Sequence, residues 1–326
     1  MSHLLKTPAA RDWINGIIKK KTSKIFGKIK GAVIWTDEKN EEGHYVVPIA
    51  PLNLIDEINT NPLILLNGHD PGKPIGQIIK SAYFESEKGV GFIAAVVGFY
   101  AGGQILEFNE LNLELNETVK YPSELPELPD NTRIDFAVDP REVDAEWLEK
   151  VTSISPVPVK HIELSHNSSE ILQELIRVGL PYLVLVWNPF TTAIASEAGK
   201  NVYAGFNKWT RELLRKLAEK RAPILSIQSF QQECQVSFLF RGKDINLNYR
   251  AHDSLPGAAV QAAELISKLS MRNTPARELT YEFDKDSSKW YPSFAILNNN
   301  IIVTDTSKLI ALEQLPSELS LGISLN

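Results

Sequence analysis

The stretch Arg133–Leu164 reads RIDFAVDPREVDAEWLEKVTSISPVPVKHIEL. Arg133–Val138 has the make-up of a strand, Asp144–Val151 that of a helix, and Val157–Leu164 that of a second strand. Going outward toward the C-terminus, the alternation continues. Ser169–Val178 is predicted as a helix, Tyr182–Trp187 as a strongly apolar strand and Gly205–Lys220 as a long helix. Pro223–Phe230 and Gln235–Phe240 read as strands, and Pro256–Leu269 as an alanine-rich helix. From Thr280 the pattern returns to strands (Ala295–Leu297, Ile301–Thr304) and a short helix from Ser307, which complete the same domain. Strands alternating with helices predict a mostly parallel, helix-covered sheet over residues 132–326.

Outward in the other direction, Tyr121–Asn131 contains Pro122, Pro126 and Pro129 with Glu124, Glu127 and Asp130. An acidic proline-rich run with little to bury predicts a linker over 122–131. Before it, over 26–121, the order is rich in strands. Lys30–Trp35 and His44–Ile49 flank a polar loop, Pro51 opens a short helix, and Pro62–Leu66 is a short strand. Gly76–Phe84 and Val90–Tyr100 form a hairpin. Few and short helices predict a small β-barrel or sandwich.

Residues 1–25 are a basic amphipathic helix. Residues 1–30 hold eight basic side chains against Asp12, a net +7 where the remainder carries −13. Trp13, Ile14, Ile17 and Ile18 recur at helical spacing, and the adopted reading is a helix docked on its own chain with its lysines solvated. The acidic remainder argues against nucleic acid as a partner. The 326 residues, 43% hydrophobic and 23% charged, are of globular composition. No apolar run approaches the roughly 20 residues that span a bilayer, so a membrane is not an expected partner. The lone cysteine, Cys234, allows no internal disulfide and no cysteine-based zinc site. With no apolar leader at the start, the expected location is cytoplasmic.

The N-terminal strands carry a resemblance. Gly31-Ala32-Val33-Ile34, Val46-Val47-Pro48, Pro62-Leu63-Ile64-Leu65-Leu66, Gly68-His69-Asp70, Pro74-Ile75-Gly76 and Lys88-Gly89-Val90-Gly91-Phe92 follow one another in the order of the phage prohead (capsid-maturation) proteases. These are relatives of the herpesvirus assemblin fold. Residues 30–100 resemble the front half of that family, which implies a protease-like barrel and a phage-related setting. It also implies that His69 is the counterpart of the catalytic base. The family's serine has no evident match: between Ser86 and Ser153 the chain holds only Ser123, in the acidic linker. A serine needs a base within hydrogen-bond reach to become a nucleophile, so the barrel is expected to be inactive. With this resemblance the expected fold class is α/β (α+β overall), a protease-like β-barrel followed by a mostly parallel α/β sheet domain.

The densest polar cluster is His161-Ile162-Glu163-Leu164-Ser165-His166-Asn167-Ser168-Ser169. Ser165 beside His166 invites a nucleophile–base reading, but adjacent residues on an extended chain point apart, and Asn167 or Ser168 reads better as a helix N-cap. The same turn, at the start of a predicted helix, is where an anion is favoured. Asn188 follows the next predicted strand in the same way, and Arg241, Arg250 and His252 add polar groups before the alanine-rich helix. The candidate sites are therefore His69 and Ser165 for catalysis, and Ser165, Asn167, Ser168, Asn188, Arg241, Arg250 and His252 for a ligand. Gly68–Lys73 is one residue short of a P-loop, and GxGxxG, HExxH and GxSxG are absent. No cofactor and no metal are expected.

The expectation is a ligand-sensing or interaction protein, its partner a small phosphate-bearing molecule or another protein. The alternatives are a serine peptidase using His69 and a nucleotide-processing enzyme acting through the α/β domain.

Overall fold

The computed structural model describes residues 3–20, 24–39, 43, 50–67, 70–100, 103–113, 120–122, 124–164, 174–187, 193–194 and 197–305. The first sheet consists of β1 (Lys28–Thr36), β2 (Ile64–Leu66), β3 (Pro74–Glu85) and β4 (Gly91–Phe99), in the order β1-β4-β3-β2 with every pair antiparallel. All nine residues of β4, GFIAAVVGF, are buried. Because side chains alternate along a strand, this requires cover on both faces. Phe92, Ala94 and Val96 pack with Ala10 and Ile14 of helix α1 (Pro8–Lys20). Ile93, Ala95, Val97 and Phe99 pack on the opposite face, with Ile58 of α2 (Pro51–Thr60). A β-carbon at Gly31 would stand 2.8 Å from the Ile14 side chain, so the missing side chain is what lets α1 settle. The basic helix thus docks on its own chain, with Lys19 and Lys20 exposed.

This layered arrangement corrects the expected barrel, which is not closed. A barrel fills its interior from one face of a sheet wrapped on itself. Here helices cover both faces, and the sheet stays open. The predicted strand at 44–49 lies outside the described residues.

The second unit runs through β5 (Glu124–Leu125), β6 (Ile134–Val138), α3 (Ala145–Thr152), β7 (Val159–Glu163), β8 (Glu174–Gly179) and α4 (Tyr182–Leu185). It continues with β9 (Ala193–Ile194), α5 (Glu197–Leu217), β10 (Pro223–Gln231), β11 (Cys234–Arg241), α6 (Ile245–Met271), β12 (Ala276–Asp284), β13 (Lys289–Leu297) and β14 (Ile302–Thr304). Eight of these strands form one sheet, ordered β14-β13-β12-β11-β10-β8-β6-β7, while β5 pairs with β9 alone. Residues of α3, α5 and α6 share one core with the sheet face that bears Phe136, Ile176, Val178, Leu225, Ile227 and Phe238.

The sheet is mixed rather than mostly parallel. β6–β7, β8–β10 and β11–β12 run parallel; β6–β8, β10–β11, β12–β13 and β13–β14 run antiparallel. Short connections impose this. β10 and β11 are joined by Gln232 and Glu233, with φ of 48° and 68°, and a two-residue hairpin of that kind can only reverse the chain.

Two predicted elements exchange type. Residues 174–178, read as the end of a helix, are strand β8; Tyr182–Leu185, read as strand, is the helical turn α4. Leu175, Ile176 and Val178 are all buried because β8 is an inner strand covered on both faces, so the alternation that identifies a strand is lost. A short apolar run such as Tyr182–Trp187 fits a buried helical turn equally well. The expected linker is also tied down: Leu125 is buried in the main core, and Tyr203 Oη donates to the Pro126 carbonyl at 2.8 Å. The helix expected from Ser307 lies outside the described residues.

Truncating Ile176 tests the reassignment of β8. Ile176→Ala should lower unfolding free energy by about 2–5 kcal/mol, as for other fully buried aliphatic truncations, measured by urea denaturation. A change below about 1 kcal/mol would mean that Ile176 is not a core strand residue.

Candidate functional site

The two sheets meet along an apolar seam. Tyr100, just after β4, packs with Phe294 and Ile296 of β13 and Ile302 of β14, and Phe26 stacks on the Tyr100 ring with centroids 6.0 Å apart. Beyond the seam lies an ionic clamp. Asp70, in the turn between β2 and β3, is 0% exposed. Its carboxylate accepts two hydrogen bonds from Arg241 at the end of β11, each 2.7 Å, and one from the Gly72 N–H at 3.0 Å. Lys73 Nζ stands 3.3 Å from it, and Arg241 Nε reaches Glu282 of β12 at 3.1 Å. A β-carbon on Gly72 would come within 2.4 Å of both Arg241 Nη2 and Glu282 Oε1, so the clamp closes only over glycine.

Burial pushes the Asp70 carboxyl up, but the hydrogen bonds and charge of Arg241, then the Gly72 N–H and Lys73, outweigh it and hold the group below its usual range. Burial opposes the charge on Arg241 as well, and the two carboxylates outweigh it. The guanidinium expected to bind a ligand's anion is thus satisfied by the chain's own Asp70 and Glu282, in a fork geometry suited to carboxylates.

A second arrangement is concave. A cavity of about 20 Å³ opens where β8 and β10 meet α4, α5 and α6, with apolar walls that include Leu180, Val184, Phe206 and Ile227. Its polar lining is Trp187, Asn207, Thr210 and His252. The space is that of about one water molecule. The buried Trp187 Nε1 and His252 Nδ1 have no hydrogen-bond partner. His252 Nδ1 is 3.8 Å from Asp253 Oδ1, too far for a hydrogen bond. His252 and Arg211 hold the Asp253 carboxyl below its usual range, and Arg211 stacks over the Tyr249 ring at 4.2 Å. Pro256, inside α6, also lines the cavity. Lacking an N–H, it leaves the His252 carbonyl without its helical donor, so the helix itself contributes an acceptor there.

Of the residues singled out in the sequence, His252 lines this cavity. Arg241 is in the clamp, and Arg250 donates to Ser288 Oγ at 3.3 Å on an exposed surface. His69, Ser165, Asn167, Ser168 and Asn188 lie outside the described residues. His161 and Glu163 are exposed on the edge strand β7. Sequence reasoning missed Trp187, Asn207 and Thr210. The signals available were the indole closing an otherwise aliphatic run and a proline placed four residues after a histidine in a helix. Among the described residues, no group of three or more His, Cys, Asp or Glu side chains converges as a metal site, and no helix is long and apolar enough to cross a membrane.

No protein-family model, no curated protein and no solved structure matches this chain. The reading of its function rests on its own residues.

The clamp has a pH signature. Because the folded-state value of Asp70 is depressed, its contribution is complete above the unfolded carboxyl value of about 3.9 and disappears as pH falls through the lower folded value. Asp70→Asn should cost about 3–5 kcal/mol at pH 7, the scale for breaking a buried pair, and should flatten the acid limb of stability. Urea midpoints from pH 7 to pH 3 measure both. An unchanged midpoint at pH 7 would mean that the clamp contributes nothing.

Proposed function

We propose that this protein binds a small molecule in the cavity between β8, β10, α4, α5 and α6, and acts by binding rather than by catalysis. The observation that carries this is that two residues lining one cavity with apolar walls, Trp187 and His252, each have a buried ring nitrogen, Nε1 and Nδ1, without a hydrogen-bond partner. A buried polar group without a partner costs about 1–3 kcal/mol, and a ligand that satisfies both recovers it. The chemistry selects a compact, mainly apolar molecule with an acceptor for the indole N–H and a polar group for the imidazole. With room for about one water in the unliganded form, α4 must shift to admit it.

A binding role is also supported by what the cavity lacks. Among the described residues, His252 is the one titratable side chain in its lining. Cys234 is buried, and burial pushes its thiol up to about 12, far from a thiolate. In the N-terminal unit, Asp70 beside His69 is bound up in the clamp, and β4 contains no serine. These features favour the N-terminal sheet as a fixed scaffold over a peptidase.

A thermal-shift screen of neutral heteroaromatic fragments tests the reading. Indole, phenol and benzimidazole are the first probes, and a bound one should raise the melting temperature. Trp187→Phe and His252→Leu should each weaken a responding fragment by about tenfold, the loss of one buried hydrogen bond. If no fragment shifts the melt, or both variants respond like the wild type, the cavity is a structural water site.

A further inference from the structure

The opposite face of the eight-stranded sheet contains a different imbalance. Ile176 and Val178 of β8, and Leu225 and Ile227 of β10, point into the helix-side core. Alternation therefore places Arg177 and Ser226 on the other face, and the two strands pair in a register that sets Ser226 directly beside Arg177. Arg177 Nε is sealed from solvent with no hydrogen-bond partner, and Ser226, 0% exposed, has an unpartnered Oγ. On the same face, toward the N-terminal sheet, the buried Tyr100 hydroxyl also lacks a partner.

We infer that this face holds an oxyanion site, a carboxylate or phosphate group bound by the Arg177 guanidinium and the Ser226 hydroxyl. Arg177 can only donate, and Ser226 can donate, so the missing group is an acceptor that carries negative charge. The acidic neighbour is Glu278 of β12, but no hydrogen bond joins it to Arg177, and its contact is with Arg277 Nε at 3.9 Å. Burial pushes the Glu278 carboxyl up against the pull of Arg277 and Arg177. For Arg177 itself, burial lowers the affinity for its proton more than Glu278 raises it. A guanidinium whose Nε is sealed from water without an acceptor carries an uncompensated desolvation cost.

The site is on the sheet face away from the Trp187–His252 cavity, so either proposal can fail alone. The full chain is titrated with inorganic phosphate by calorimetry and thermal shift, with acetate as the carboxylate arm and chloride at matched ionic strength as control. Wild type should bind phosphate or acetate and melt higher with it, and His252→Leu should do the same. Arg177→Met should melt at or above wild type in phosphate-free buffer, because an uncompensated buried charge has been removed, and should not respond to either anion. Ser226→Ala should bind about five- to tenfold more weakly.

The inference is overturned if wild type responds to neither anion beyond chloride, or if Arg177→Met responds as wild type does. A large drop in the melting temperature of Arg177→Met without phosphate would also overturn it, since the guanidinium would then already be compensated within the chain. Should that variant fail to fold, Ser226→Ala decides: an unchanged dissociation constant excludes the site.

Discussion

Asp70 is a carboxylate with no solvent exposure, and such a group persists only where its charge is matched at hydrogen-bond distance. The match comes from Arg241, which is fixed at its other edge by Glu282. Since Asp70 belongs to the turn after β2 while Arg241 and Glu282 belong to neighbouring strands of the larger sheet, satisfying one buried charge sets how the two sheets meet. The seam of Tyr100, Phe26, Phe294 and Ile302 adds non-directional burial, and the fork of the guanidinium adds direction. Gly72 leaves room for the ion pair, because a β-carbon there would stand within 2.4 Å of Arg241 Nη2 and Glu282 Oε1.

Polar groups on either side of the large sheet divide into two kinds. In the clamp, the Arg241 guanidinium has carboxylate partners at 2.7–3.1 Å. Those at Trp187, His252, Arg177 and Ser226 are buried and unmatched. Folding tolerates few such groups, so where they cluster they mark places where the isolated chain is incomplete. On the helix side the unmatched atoms adjoin a cavity and a proline that strips a carbonyl of its donor. On the other side they lie in one register across β8 and β10. The two clusters differ in charge, which is why the ligand proposed for the first is mainly apolar and the one proposed for the second is an oxyanion.

The resemblance of residues 30–100 to prohead proteases takes a different aspect beside the structure. The histidine of that pattern is outside the described residues, but the aspartate that follows it has a structural task. The sheet itself is open and antiparallel, lies between α1 and α2, and has no serine on β4.

Much of the local structure was determined by the sequence itself. Val90–Tyr100 read as a strand and Pro51 as the opening of a helix, and the structure has both; Asp144 caps α3 by accepting from the Trp147 N–H at 2.7 Å. These are short-range consequences of period and capping. Tertiary structure alone decided that Glu174–Gly179 is a strand and Tyr182–Leu185 a helical turn, because the apolar residues of both short runs are adjacent in sequence and fit either period. It also decided strand direction, which produced a mixed sheet where alternation of elements had implied a parallel one. Arg241 and Asp70 are 171 positions apart, and no local pattern assigns a guanidinium to its carboxylate at that separation. His252 was legible as a polar residue near a helix start. That it faces a cavity shared with Trp187 follows only from packing, since residues 65 positions apart come together when α4 and α6 close over the same end of the sheet.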